Sequence, residues 1–468
     1  VAFLSVSTNL VPGQIDTNDN QDLFVYDRLA GTTMLVSQSA TSATTAANDA
    51  SFDSVMSADG RWIAYPSEAT NLVPGQVQSP DIPNVFLFDR VAGTTTLVSH
   101  RDSSAFIAGG GVSFGPSISA DGQYVAYSSY ASDLVSGFVD ADGGLPDVFL
   151  FDRMSGASTL ISHAQGLPAR TANAGSSFAM ISADGSAVAY FGLATNLALG
   201  QIDPNGGYDV FLWDRVGDET TLVSRAAASP TLAGNSESFN PSISANGSRV
   251  AFVSLSTDLV AGQSDANGVG DVFVFDRVRG TTVPVSRIPA SATTTGNGSS
   301  GAPIISPDGN LVAFNSQASD LVTTDTNGQK DAFLWAPISF ASQMSFFPVT
   351  PCRVFDTRNP AGPTGGPSLG ANGVRDFVLA GACGIPANAA AVSVNVTIAN
   401  PTAAGVLKIY PAGAAPSTAT TAAFRGAGQT RANNAIVAIT GAPAGGVTVE
   451  NAAVGTTDVL LDVNGYFR

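Results

Sequence analysis

The chain has 468 residues, with 20 Lys and Arg against 37 Asp and Glu, a formal net charge of −17, and only two cysteines and two histidines. So acidic a chain is a poor partner for phosphate backbones, which need clustered Lys and Arg, and nucleic acid is excluded on that ground. No stretch reaches the roughly 18 consecutive apolar residues of a membrane-spanning helix, and 49 glycines with only 12% charged residues fit tightly turned β-structure better than helical bundles.

A repeat runs from the first residue. An element of the form Val-Ala-Tyr/Phe begins at Val1, Ile63, Val125, Val188, Val250 and Val312, a period of 62 residues that lengthens once to 63. Such a period marks a repeat architecture. Residues 118–163 show the unit whole: an alternating piece ending in Ser-Ala-Asp-Gly, a strand (Tyr124–Ser128), an Asp/Asn/Gly loop, Asp-Val-Phe-Leu-Phe-Asp-Arg (Asp147–Arg153) and Ser-Thr-Leu-Ile-Ser (Ser158–Ser162). Each piece reads as a short strand bounded by turn residues. In the third, Val148 and Leu150 face one side and Phe149 and Phe151 the other, so both faces require cover. Four strands per unit, stacked face to face, describe a propeller blade. An open β-solenoid is the alternative, although its rungs are usually shorter.

Blade one is expected to begin at its second strand, Val1–Ser5, and to continue through Asp22–Arg28 and Thr32–Ser37. The Ser/Thr/Ala-rich loop 38–50 follows, with equivalents at 100–112, 163–175, 225–237 and 287–301, and these carry the variable surface. Asn246, Asn297 and Asn395 lie in Asn-x-Ser/Thr sequons, whose meaning depends on the source. Blades two to five are complete. Blade six has Asp331–Trp335 but Ala336-Pro337 in place of Asp-Arg, and no recognisable fourth strand. The propeller is therefore placed at 1–337, with 338–347 as a linker or closing strand.

From Phe346 onward Ala and Gly rise, and strand-length runs recur at Ala391–Thr397, Gly405–Pro411, Arg431–Val437 and Asp458–Phe467. That spacing predicts a jelly-roll-like β-sandwich over 348–468. Cys352 and Cys383, 31 residues apart in this part, are expected to form a disulfide. The phenylalanines 346, 347, 355 and 377 are expected to be core.

The Ser-x-Asp-Gly-x-x-Val-Ala-Tyr/Phe-x-Ser and Asp-Val-Phe-Leu-Phe-Asp-Arg motifs resemble those of TolB-type, WD-like β-propeller repeats of secreted bacterial proteins, over residues 1 to 337. The C-terminal series resembles a domain at the ends of bacterial surface proteins. The resemblance implies an all-β chain, a six-bladed propeller followed by a sandwich, in a secreted or surface setting. It does not imply one activity, because such propellers serve unrelated functions.

The candidate metal ligands lie between the second and third strands of the blades. They are Asp16, Asn18 and Asp22; Asp203, Asn205 and Asp209; Asp265, Asn267 and Asp271; and Asp325, Asn327 and Asp331. Oxygen donors at positions 1, 3 and 7 of a Gly-containing loop suit Ca²⁺. Blade three carries Asp140, Asp142 and Asp147 with one extra residue. The same residue types also make unassisted turns through Asx hydrogen bonds, and blade two, with Gln78 and Pro80 at the first two places, fits that reading. The recurring Asp-Arg pairs (27–28, 89–90, 152–153, 214–215, 276–277) read as turn and blade-surface residues. His100 and His163, equivalent to Gln38, Arg225 and Arg287, read as polar rim positions. No Gly-x-Ser-x-Gly elbow, phosphate loop or His-rich motif accompanies them, and the expectation is a non-enzyme.

The functional expectation is an extracellular structural or interaction protein, with other copies of itself, surface proteins or glycans as partners. One form of it is a filament subunit. Blades one and six each lack a recognisable strand, and an open slot invites a strand from another chain, unless residues preceding Val1 fill it. The alternative is a module that captures a glycan or peptide in the propeller's mouth, and a hydrolase ranks behind both because no catalytic set is visible.

Overall fold

The computed structural model describes the chain apart from residues 323–324, 326, 337–345, 415–419 and 440–444. It divides into two compact units, Val1–Pro337 and Ile338–Arg468. The described residues form strands and turns, with no helix.

Among the described residues the first unit has six antiparallel sheets in chain order, the blades of a β-propeller, and a small two-stranded sheet, His100–Arg101 with Ser104–Ala108, between blades two and three. Blade three is typical, with strands Ser113–Ile118, Tyr124–Ser129, Asp147–Asp152 and Ala157–Leu160. Its third strand is apolar on both faces because both faces are covered. Val148 and Leu150 pack with Tyr190 and Phe211 of blade four, while Phe149 and Phe151 pack with Ala64 and Leu87 of blade two. Blades one and two, four and five, and five and six share equivalent cores. Each closes over alternate residues of the facing strands, so stability resides between blades rather than within one. The first strands of successive blades touch one another and form the inner edge of the propeller.

Blade one has three strands, Ala2–Ser5, Asp22–Asp27 and Thr32–Leu35, and blade six has three, Ser300–Ile305, Val312–Ser316 and Asp331–Trp335. Most of the expected linker or closing strand, 338–345, lies outside the described residues. Phe346 and Phe347 do not belong to blade six, since they pair with Phe467 and Tyr466 in the second unit.

The Ser-x-Asp-Gly turn has one construction in every complete blade, with Asn246 in place of the aspartate in blade five. In blade three Ser119 Oγ–H donates to Asp121 Oδ1 at 2.6 Å, and the Gln123 and Tyr124 amides donate back to Asp121 Oδ1 and Ser119 Oγ. Gly122 completes it at φ 66°, and a β-carbon there would collide with the Trp62 ring of blade two. The glycine is thus demanded twice, by backbone handedness and by the neighbouring blade.

Among its described residues the second unit has eight strands, numbered here β1 (Phe346–Asp356), β2 (Val374–Val378), β3 (Ala391–Ala399), β4 (Gly405–Pro411), β5 (Ala422–Phe424), β6 (Arg431–Ala438), β7 (Gly446–Ala453) and β8 (Asp458–Phe467). Its two antiparallel sheets run β1-β8-β3-β6 and β2-β7-β4-β5, the interleaved order of a jelly roll. One core of Val, Leu, Ile and Phe lies between them. Phe355 and Phe377 stack across it, centroids 3.7 Å apart, whereas Phe346 is exposed and Phe347 lies on Tyr466. The expected phenylalanine cluster is therefore half core and half surface. Cys352 and Cys383 form a disulfide, Cα atoms 5.8 Å apart.

Two outcomes follow. Gly122→Ala should lower the urea-unfolding stability of the propeller by about 2–5 kcal/mol, combining the left-handed backbone cost with the Trp62 collision. Gly115→Ala, at φ 59° in open space, should lower it by only about 1–2 kcal/mol; equal losses would contradict the inter-blade contact. Replacing Cys352 and Cys383 by Ser should destabilise the second unit by about 3–4 kcal/mol from loop entropy, read from its melting transition, and an unchanged transition would contradict it.

Candidate functional site

The connections from second to third strand and from fourth strand to the next blade leave the same end of the strands. They pair through short bridges, such as Ile15 with Thr45 and Ile202 with Leu232. At this end the third strand of blades one to five starts on a buried polar side chain, Asp22, Asn84, Asp147, Asp209 or Asp271. A serine leaving the fourth strand secures it. Ser37, Ser99, Ser162, Ser224 and Ser286 donate to Oδ1 of those residues at 2.6–2.9 Å. Each serine oxygen in turn accepts the amide of the next strand residue at 2.9 Å. One hydroxyl thus satisfies an acceptor and a donor where water is excluded.

The loops before these aspartates are built from Asx turns. Oδ1 of Asp16, Asp203, Asp265 and Asp325 accepts the amide two residues on. Asn18, Asn205 and Asn267 tie the loop to the next connection, their Nδ2 donating to the carbonyls of Ala47, Gly234 and Gly296. In blade six, where no serine arrives from a described fourth strand, Asn327 Nδ2 instead donates to Asp331, which is half-buried. The asparagines hold loops together, and the carboxylates retain spare oxygens.

Those oxygens are unusual. Oδ2 of Asp22, Asp142, Asp203, Asp209 and Asp271 and Oγ1 of Thr295 are buried without a hydrogen-bond partner. Burial, reinforced by Asp203 and opposed by Ser224, pushes the Asp209 carboxyl up to about 7. Burial likewise raises Asp22 to about 6, Asp271 to about 7 and Asp147 to about 8. Blade two differs, because amides replace both carboxylates. Gln78 Nε2 donates to the carbonyls of Glu68 and Ile82, and Asn84 Nδ2 donates to Ile82. The repeat register sets Asn84 at the place of those aspartates, so this exchange is visible in the sequence. Among the described residues no three His, Cys, Asp or Glu side chains stand together as a metal-holding group.

Beside these loops lies a second feature that sequence reasoning missed. The first strands of blades three to six carry a bulge, seen as a register shift against the second strand. Its equivalent residue takes a left-handed backbone in each: Gly115, Phe178, Asn240 and Ala302, at φ 49–62°. All four are exposed. Phe178, 57% exposed, stacks on Phe191 at 5.5 Å, and Phe191 meets Tyr208 edge-on at 5.3 Å. Tyr208 directly precedes Asp209, and its carbonyl accepts the Ser238 amide of blade five. No sequence signal separates Phe178 from a core phenylalanine. Only its place in the repeat, opposite Gly115, hints at the backbone.

The remaining candidates are ties between blades. His100 Nε2 lies 3.0 Å from the Gly156 carbonyl and His163 Nε2 lies 3.0 Å from Asp218 Oδ1. Gln38 and Arg225 reach Gly93 and Gly280 in the same way. Both histidines are buried rather than at a polar rim, because each packs beneath the next blade's hairpin. In the Asp-Arg pairs Asp Oδ1 caps the following turn, as Asp27 does for Leu29 and Ala30. The arginines reach back one blade, to Asp27 from Arg90 and Asp214 from Arg277, or over Trp62 from Arg153 and Tyr124 from Arg215.

No protein-family model matches the sequence, and no curated protein matches it. Among solved structures it is similar to the tricorn protease, at 11% identity and a TM-score of 0.34, over 63% of this chain and 25% of that one. It is also similar to a puromycin-hydrolyzing peptidase of Mycobacterium tuberculosis, at 12% identity and a TM-score of 0.37, over 75% of this chain and 49% of the other. A third is the β-propeller domain of the Trilobed protease from Pyrococcus furiosus, at 10% identity and a TM-score of 0.27, over 71% and 95%. The chain thus spans from a quarter to half the length of the first two. The expectation of a non-enzyme is corrected by this finding, since these structures are peptidases or a part of one. Its physical weakness was to infer lack of chemistry from the absence of a recognisable motif, when a propeller is a scaffold that accepts unrelated sites. No helix is long and apolar enough to cross a membrane among the described residues.

Ser224→Ala should cost about 2–3 kcal/mol, because it strips a buried carboxylate and a buried amide of their shared partner. Ser99→Ala, facing the neutral Asn84, should cost about 1 kcal/mol less. Urea unfolding of the two variants checks this, and the reverse order would contradict the relay.

Proposed function

We propose that the chain is an extracellular interaction module that binds a neutral glycan at the loop end of its propeller. The observation behind this reading is the exposed aromatic surface on the inner strands, Phe178 over Phe191 with Tyr208 at its edge. A pyranose offers a C–H face that stacks on such rings, and its hydroxyls pair with amides and carboxylates. Both are at hand, in exposed Asn240 at the matching bulge of blade five and exposed Glu237 just before it. One backbone device thus presents Gly, Phe, Asn and Ala in successive blades, the economy of a scaffold whose inner edge is varied for recognition. A net charge of −17 repels anionic polymers and leaves neutral ones unaffected. The secreted setting is drawn from the TolB-type resemblance and from the disulfide, which suits an oxidising compartment. The filament reading draws no support from the comparisons and is set aside.

A panel of immobilised neutral glycans tests the proposal. At least one should retain the protein, and Phe178→Gly, which copies Gly115 and keeps the backbone, should weaken retention about tenfold or more at an unchanged melting temperature. Retention by none, or equal retention of the variant, would contradict it.

A further inference from the structure

We propose that the loops of blades one, four and five each hold a calcium ion, between Asp16 and Asp22, Asp203 and Asp209, and Asp265 and Asp271. Three observations lead there. Asp22, Asp209 and Asp271 are at most 1% exposed, yet Oδ2 of Asp22 and Asp209 has no partner, Oδ2 of Asp271 has only the Thr295 hydroxyl near it, and in blade four Oδ2 of Asp203 is unpartnered as well. Among the described residues none of the six carboxylates pairs with a Lys or Arg. A buried carboxylate without a protein counter-charge is costly, and a cation removes that cost.

Turn formation does not explain these oxygens. An Asx turn uses Oδ1 of the first aspartate, and the serine uses Oδ1 of the second. Asparagine would serve both purposes; in blade two Asn84 accepts from Ser99, while Gln78, two residues before Pro80, which has no N–H, accepts from Gln76 Nε2 instead. There Gln78 and Asn84 replace the two carboxylates together, and neither appears among the buried unpartnered atoms. Paired neutralisation is what two ligands of one ion require, whereas two independent turn residues have no reason to change together.

The donors are all hard oxygens. The loops of blades four and five supply two carboxylates each, and that of blade one has a third, exposed Asp19, between its pair, so carbonyls and water must complete the shell. Ca²⁺ accepts such irregular, partly hydrated sets at six to eight oxygens, whereas Mg²⁺ demands a near-ideal octahedron. Blade three, with its extra residue, and blade six, whose Asp331 is engaged by Asn327, fall outside the proposal.

The full chain, stripped with EGTA and titrated with CaCl₂ in a calorimeter, should bind three ions. With free calcium at a hundredfold excess over Kd its melting temperature should rise clearly above that in EGTA. The double variant Asp203→Gln, Asp209→Asn reproduces the blade-two pair. It should bind one ion fewer while melting in EGTA no lower than the wild-type chain. Asp265→Gln with Asp271→Asn provides the same test in blade five should the first pair misfold. No bound calcium, identical melting in calcium and EGTA, or full stoichiometry in a folded double variant would overturn the proposal.

Discussion

The serine hydroxyl that joins the end of each fourth strand to the head of the third is the contact on which the loop end depends. The third strand lies between two neighbouring blades, so Phe149 and Val148 must both be apolar, and the Val148 amide is buried with them. Ser162 meets that amide and the Asp147 carboxylate together. With the strand head closed in this way, the aspartate before it is inside the protein as well. Its second oxygen has to find a partner in the adjoining loop or do without. The unpartnered oxygens of Asp22, Asp209 and Asp271 are therefore consequences of two-sided packing rather than isolated irregularities.

The same packing explains why the chemistry of inter-blade ties varies while their positions do not. Residues 38, 100, 163 and 225 are Gln, His, His and Arg, yet each sends a donor nitrogen to the hairpin of the next blade. The arginines after each third strand likewise alternate between an aspartate and an aromatic ring one blade back. The stacked cores hold the blades, and any side chain that fills the tie without leaving a buried polar group unpaired is accepted.

Much of this was legible in the sequence because it follows from local rules repeated at one period. The two-sided apolar strand Asp147–Asp152, the Ser-x-Asp-Gly turn and the alternating strands of the C-terminal part each signal their own structure. The jelly-roll order of the sandwich completes that reading, since β1 and β8 come together from opposite ends of the unit. What was not legible depends on long-range partners. Nothing in the run Phe346-Phe347 shows that it pairs with Tyr466 and Phe467 rather than with blade six. Nothing local marks Phe178 as left-handed and exposed, since the bulge is defined against Phe191 across the sheet. At the Asp/Asn loops the residue types were read from sequence, but their burial and the missing partners were not, because both come from the neighbouring connection.

The central claim is that the loop end is a set of cation-closed connections, built alike in blades one, four and five and closed by amides in blade two. Anomalous diffraction from crystals grown with calcium measures this site by site. The account expects a peak within bonding distance, about 2.3–2.6 Å, of Oδ2 of Asp22, Asp209 and Asp271, and none beside Asn84. Featureless density at all three aspartates, or an equal peak at Asn84, would contradict it.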